Sequence, residues 1–220
     1  SVRSRLLDIS TSVAVIVTAA VVAYSALVRS KSSTSRETSA VGYYDDWETF
    51  LDYGIRVGNS SAPVKLIEFA DYECSFCARY HLPVQRMLQE MGDTVEYVLV
   101  HSPLAQHRFA IPAARAAECA LEQGRFAEMQ DVLYAGQDSL GFYSWSTFAL
   151  QAGITDTSTF MRCIRDARSR IRVDSGMALS ERLRIPGTPT YVVNGHRVPG
   201  GGPDTLRSLI SAVSRGKIRD

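Results

Sequence analysis

The chain has 220 residues, 45% of them hydrophobic, and its 24 basic side chains are balanced by 23 acidic ones for a formal net charge of +1. Such a chain can bury one core domain of about 160 residues with further segments attached, and its evenly spread charge gives no electrostatic footprint for nucleic acid. Four cysteines in two separable pairs suit an oxidising compartment better than a reducing cytosol.

Residues 11–28 form an uncharged run that includes Val13, Val15, Ile16, Val17, Val21, Val22 and Leu27. As a helix it would be about 27 Å long, close to the hydrocarbon thickness of a bilayer. The expectation is a single-pass anchor over 11–28; a signal peptide with a small-x-small site at Ala23-Tyr24-Ser25 has the same outline. Arg3 and Arg5 precede the run and Arg29, Lys31 and Arg36 follow it, so the positive-inside rule gives no orientation. The thiol chemistry of the later segments sets it instead: a short cytoplasmic tail at 1–10, with everything after the span exported. Residues 29–42 are rich in Ser and Thr and lack apolar periodicity, as expected of a polar tether.

The domain is expected over 43–220. Tyr43, Tyr44, Trp47, Phe50, Leu51 and Tyr53 stand among acidic residues. They read either as a short helix or turn packed on the domain, or as a belt at a membrane interface or a partner. The apolar run 64–69 is expected to be a central strand, residues 75–91 a helix kinked at Pro83, and 95–100 the parallel neighbour of the first strand. At the junction of strand and helix stands Cys74-Ser75-Phe76-Cys77. Two thiols so spaced can form and break a disulfide, although C-x-x-C also supplies half of a zinc site. An all-thiolate zinc site would need a second close pair, and Cys119 and Cys163 lie far apart; nearby histidines could still complete a mixed site. The redox reading is favoured.

Residues 112–163 hold apolar-periodic segments broken at Gly124, Gly136, Gly141 and Gly153, too much helix for a bare two-layer redox domain. Ile185-Pro186-Gly187-Thr188-Pro189-Thr190 then precedes a strand-like run, and Asn194-Gly195 returns the chain through His196-Arg197-Val198. Asn-Gly between apolar flanks is a strong hairpin signal, because both central residues of a type I′ turn need positive φ. A cis Thr188–Pro189 bond would leave a backbone edge open to an extended peptide; the plainer reading is that Pro189 merely ends a loop. A closing helix is expected over 205–213.

Three segments, in order, carry a resemblance that runs from about Gly54 to Ile218. They are 61–77, ending in the C-x-x-C pair; 113–126, Ala-rich and containing Cys119; and 187–195, containing Thr188-Pro189. In these the chain resembles the DsbA-like branch of the thioredoxin superfamily, the extracytoplasmic thiol:disulfide oxidoreductases. The resemblance implies an α/β thioredoxin-like fold with a helical insertion at about 110–180, preceded here by the N-terminal transmembrane helix. It implies Cys74 as the attacking and Cys77 as the resolving cysteine, with Thr188 and Pro189 facing them to bind substrate. The family's buried strand carboxylate falls on Glu68. Ser75-Phe76 is neither the Pro-His of the best-known oxidases nor the Gly-Pro of thioredoxins, which leaves the direction of exchange open. The implied partners are exported cysteine-containing proteins, a membrane redox partner and the lipid bilayer. The implied site is the extracytoplasmic, periplasmic side of a bacterial inner membrane.

The chemistry follows from the residues. A thiolate attacks disulfides, so the reactive cysteine needs a depressed pKa, and the first turn of a helix supplies Cys74 with free backbone N–H groups. Cys74 is therefore expected to be the exposed, acidic thiol and Cys77 the shielded one. Glu68, in an otherwise apolar strand, should have a raised pKa, and the resemblance implies that it is buried beneath the pair and accepts a proton from Cys77, unless it faces outward. Cys119 and Cys163 are expected to form a structural disulfide; the alternative is two separate buried thiols. His81 could share the helix face of Cys74 but is expected to be solvated. His101, His107 and His196 show no metal-ligand spacing, so neither a metal nor a cofactor is expected. A second function stays in view, that of a thioredoxin-fold structural or assembly subunit of a larger membrane complex. A third is reduction or isomerisation in place of oxidation.

Overall fold

A computed structural model describes residues 42–218. The expected tail and anchor, and all but the last residue of the tether, lie outside the described residues. Among the described residues no helix is long and apolar enough to cross a membrane.

The chain enters through a 3-10 helix, Trp47–Tyr53, whose Trp47 and Phe50 are buried. Tyr44 packs edge-on against Phe50 at 5.4 Å, and Tyr43 stands 4.9 Å from His196. The aromatics of this segment thus pack on the domain. Strand β1 (Ile55–Val57) follows; at three residues it is too short to display alternation and is not legible in the sequence. Strand β2 (Val64–Ala70), helix α1 (Ser75–Met91) and strand β3 (Val95–His101) form the expected β-α-β unit. Helix α1 runs without a break through Pro83.

The helical insertion holds α2 (Ala110–Leu121), α3 (Phe126–Ala135), α4 (Trp145–Gln151), α5 (Thr157–Arg165) and α6 (Ile171–Arg182). Two of its helices start at side-chain caps: the Ser144 hydroxyl accepts from the Thr147 N–H at 3.2 Å, and an Asp156 carboxylate oxygen from the Thr159 N–H at 3.0 Å. The chain closes with β4 (Thr190–Val193), β5 (His196–Pro199) and α7 (Pro203–Ser214).

The five strands lie in the order β1-β3-β2-β4-β5, with β2 parallel to β3 and antiparallel to β4. Because β2 is central, its residues from Leu66 to Ala70 are buried on both faces. Period-two alternation sends Ile67 and Phe69 to a core shared with Trp47, Phe50 and Leu179, and Leu66 and Ala70 to the larger core under α1 and the insertion. Glu68, between Leu66 and Ala70 in that alternation, therefore points to the same side as Cys77. The β4–β5 turn has φ of 40° at Asn194 and 88° at Gly195, as the sequence predicts. Asn194 also ties the turn to β2, accepting from the Lys65 N–H at 2.7 Å and donating to the Pro63 carbonyl at 3.1 Å. A side chain at Gly195 would be strained and would meet the Tyr43 ring at 2.4 Å.

Cys119 of α2 and Cys163 of α5 are joined in a disulfide across a separation of 44 residues. The link encloses α3 and α4, and Arg115 reinforces it by donating to the Ile164 and Asp166 carbonyls. Replacing both cysteines by alanine is expected to lower unfolding free energy by about 2–4 kcal/mol. Denaturant unfolding of the variant checks this; an unchanged midpoint would leave the link without a stabilising role.

Candidate active site

The end of β2 and the start of α1 are joined by a short turn built to present one sulfur. The Asp71 side chain folds back on this turn: its Oδ1 accepts from the Glu73 N–H at 2.7 Å, and its Oδ2 accepts from the Leu104 N–H and meets His107 Nδ1, both at 2.7 Å. The Cys74 N–H donates to the Asp71 carbonyl at 3.1 Å. From the insertion, the Gln137 amide donates to the carbonyls of Tyr72 at 2.7 Å and Cys74 at 3.0 Å. Each of these bonds spans a distance in sequence or uses a residue type common in loops, so none was legible beforehand.

Cys74 is the N-cap residue of α1 and makes no side-chain capping bond to the helix. The N–H groups of the first turn therefore remain for its sulfur. The Cys77 thiol, one turn on, is the largest influence that lowers the Cys74 pKa, from 9.0 to about 5, against the opposing effect of burial. The Thr188 side chain and the backbone N–H groups of Cys77 and Phe76 add to it. Cys77 is pushed the other way, well above the thiol range, first by burial, then by its bond to Cys74 and by the charge of Glu68. The pair thus separates into a thiolate and a thiol at neutral pH. One expectation needs correction: Cys74 is not openly exposed but only 6% accessible, against 1% for Cys77. The reason is the loop before β4, whose Thr188 carbonyl lies 3.1 Å from the Cys74 sulfur.

The Thr188–Pro189 peptide bond is cis, as the sequence suggested. Thr188 and Pro189 line a groove of about 370 Å³ together with Phe76 and Tyr80 of α1. Phe76, the second residue between the cysteines, is 52% exposed at its mouth. The Cys74 sulfur lies against one wall of this groove through Thr188.

Glu68 is 6% accessible, as expected for a carboxylate beneath the pair. Burial raises its pKa from 4.5 to about 7, overcoming two tyrosine hydroxyls that donate to it, Tyr97 at 2.6 Å and Tyr191 at 3.3 Å. Neither tyrosine is marked in the sequence as part of the site. A tyrosine at an inward strand position reads as core, and only the register, which sets Glu68 opposite Tyr191 and one strand from Tyr97, reveals the cage.

His81 corrects a second expectation. It is 7% accessible, not solvated, with Nε2 2.6 Å from Asp131 Oδ1 of α3. Its place on the inner face of α1 opposite the insertion explains the burial, which lowers its pKa while Asp131 opposes the shift. His101 meets Glu118 at 2.9 Å and His107 meets Asp71 at 2.7 Å. Among the described residues no cluster of three or more His, Cys, Asp or Glu is arranged to hold a metal ion.

Comparison with known proteins places this geometry. A family model described as thioredoxin matches residues 51–212. The Na(+)/H(+) antiporter NhaA 1 of Mycolicibacterium gilvum is 36% identical over 163 residues, which are 73% of this chain and 26% of the antiporter. The chain thus spans about a quarter of the length of the curated relatives it matches. Among solved structures, a thioredoxin-like oxidoreductase from Silicibacter pomeroyi DSS-3 superposes with a TM-score of 0.64 at 26% identity, over 79% of this chain and 98% of that one. The thiol-disulfide exchange protein alpha-DsbA2 from Wolbachia pipientis shares the fold with a TM-score of 0.63 at 17% identity, over 76% and 93%.

Proposed function

Since this chain belongs to the thioredoxin family, with the fold of DsbA-like thiol:disulfide oxidoreductases, we propose that it exchanges a Cys74–Cys77 disulfide with cysteines of exported proteins. The observation that carries the reading is the separation of the two sulfurs: Cys74 acidic at a helix start beside Thr188, Cys77 buried and held protonated above Glu68. That division of labour is what exchange through a mixed disulfide requires.

In the oxidising direction a substrate thiolate attacks Cys74 Sγ of the oxidised pair. The Cys74–Cys77 bond breaks, its electron pair goes to Cys77, and Cys77 takes a proton from Glu68. A second substrate thiolate then attacks the substrate sulfur of the mixed disulfide, and Cys74 leaves as a thiolate. The substrate gives up two electrons and the enzyme pair gains them. A depressed Cys74 pKa stabilises the reduced enzyme, and this supports donation of disulfides as the favoured direction. The groove beside Thr188 and Pro189 supports docking of an extended peptide next to the sulfur. The apolar run at 11–28 supports a membrane anchor, the domain on the extracytoplasmic side, and a membrane redox partner that reoxidises the pair.

A second reading is favoured by one finding, the match to a quarter of a membrane antiporter: a thioredoxin-fold part of a larger membrane assembly. The two separate in one experiment. The purified full chain, oxidised and mixed with a peptide carrying two cysteines, is expected to convert it to the disulfide catalytically. A chain that folds, leaves the peptide untouched and is recovered in fixed ratio with a larger membrane complex would favour the assembly instead.

A further inference from the structure

Two residues hold the turn between β2 and α1, and they take opposite kinds of group. From within the turn, Asp71 takes the donors: its Oδ1 accepts from the Glu73 N–H at 2.7 Å, and its backbone carbonyl accepts from the Cys74 N–H at 3.1 Å. From outside, Gln137 takes the acceptors: its Nε2 donates to the carbonyl of Tyr72 at 2.7 Å and to that of Cys74 at 3.0 Å. Three successive peptide planes, from Tyr72 to Ser75, are thereby fixed. Gln137 holds the first and the third, and Asp71 holds the second.

Gln137 belongs to the helical insertion and is itself firmly placed. It opens the 3-10 turn Gln137–Ser139 after α3. The Gly136 N–H donates to the Val132 carbonyl at 2.9 Å and the Ser139 N–H to the Gly136 carbonyl at 2.8 Å, while Leu140 just beyond is buried in the larger core. A β-carbon at Gly136 would lie 3.0 Å from both the Phe148 ring and the Val132 carbonyl, so the backbone here has little room to shift.

The Cys74 carbonyl already accepts the first bond of α1, from the Ala78 N–H at 3.1 Å, so Gln137 occupies its second lone pair. This has two effects on the sulfur of the same residue. Cys74 is kept extended, with φ −75° and ψ 119°, the non-helical conformation that sets an N-cap side chain beside the N–H groups of the first turn. In addition, the carbonyl oxygen is a negative dipole end close to the sulfur, and an N–H donated to it offsets that charge. Both effects favour a thiolate, and a disulfide sulfur, which carries no charge, gains nothing from them.

We propose that Gln137 is a positioning residue for exchange: from the insertion it holds the Cys74 turn in the form that favours a thiolate, and so raises the oxidising power of the Cys74–Cys77 pair. A bond that stabilises the turn equally in both redox states contributes to folding but cancels from the exchange equilibrium. One that favours the thiolate does not cancel. The inference rests on the exchange reading for the claim that the pair cycles between disulfide and dithiol.

The test uses the full chain equilibrated with glutathione at pH 7, where the protein disulfide and two glutathione thiols yield the dithiol and one glutathione disulfide. Gln137→Met keeps the reach of the side chain and removes its donor. The Cys74 titration midpoint is expected to rise by about one unit, and the equilibrium to move about tenfold towards the Cys74–Cys77 disulfide, a fall in potential of about 30 mV. Gln137→Asn, an amide one methylene shorter that reaches at most one of the two carbonyls, is expected to shift both readouts in the same direction by less. It decides alone if the methionine variant does not fold. A folded variant whose midpoint and equilibrium match the parent, whatever its loss of unfolding free energy, would overturn the positioning role and leave the exchange reading intact. A parent pair that does not react with glutathione disulfide would overturn the exchange reading, and the thiolate titration would still decide the role of Gln137.

Discussion

A Cys74→Ser variant is expected to exchange disulfides no faster than the uncatalysed background, whereas Cys77→Ser makes the first attack and then stalls as a mixed disulfide on Cys74. The asymmetry follows from where the two sulfurs sit. Cys74 lies beside Thr188, which lines the groove, and the helix start and the Cys77 thiol hold it as a thiolate. Cys77 is 1% accessible and held protonated, so it can reach Cys74 but not an incoming protein. Mass spectrometry of each variant after reaction with a peptide carrying a disulfide checks the result, and an adduct on Cys77 in the Cys74→Ser protein would reverse the assignment.

Glu68→Gln is expected to slow resolution by Cys77 about a hundredfold near pH 7, because the acid–base partner of the buried thiol is lost. The same substitution has a signature in stability. Burial raises the Glu68 pKa from 4.5 to about 7, so between these values the unfolded chain releases a proton that the folded chain retains. A group raised in this way stabilises the fold fully below pH 4.5, and the contribution is lost as pH climbs to 7, by roughly 3 kcal/mol in all. In the reduced protein this slope is largely masked, since Cys74 is depressed from 9.0 to about 5 and contributes the opposite slope between those values. The oxidised protein carries no such thiol. Its unfolding free energy should therefore fall as pH climbs above 4.5, over a narrower range than in the reduced protein because the Cys74 charge that helps raise Glu68 is gone, and Glu68→Gln should remove that fall. Equal pH profiles for the two oxidised proteins would mean that Glu68 is ionised normally and does not serve Cys77.

Much of this site could be read from the chain because its chemistry is local. A strand, a C-x-x-C at its end and a helix after it put Cys74 at the helix start, and the Asn194-Gly195 turn fixed the hairpin whose first strand follows Pro189. Glu68 was legible as a carboxylate in an apolar strand. Contacts that cross the fold were less legible. The resemblance brought Thr188 to face Cys74 from 114 residues away, but nothing in the sequence signalled that Gln137 braces the Cys74 turn from 63 or that Tyr191 closes on Glu68 from 123. His81 illustrates the same point within a single helix. Its spacing from Cys74 is visible in the sequence, but its burial depends on α3 packing across α1 and bringing Asp131 to it. The short β1 escaped because three residues carry too little pattern, whereas the Cys119–Cys163 link lay within reach because both cysteines fall in one helical region.

Exchange through this pair requires that Cys74 is a thiolate while Cys77 remains a thiol, and the ultraviolet absorbance of the reduced protein during a pH titration measures this directly. A single thiolate is predicted, with a midpoint at about pH 5. The midpoint should hold in Cys77→Ser, whose hydroxyl still donates to Cys74, and rise in Cys77→Ala, which has no donor. A midpoint close to the ordinary thiol value of 9.0, or two thiolates appearing together, would contradict it.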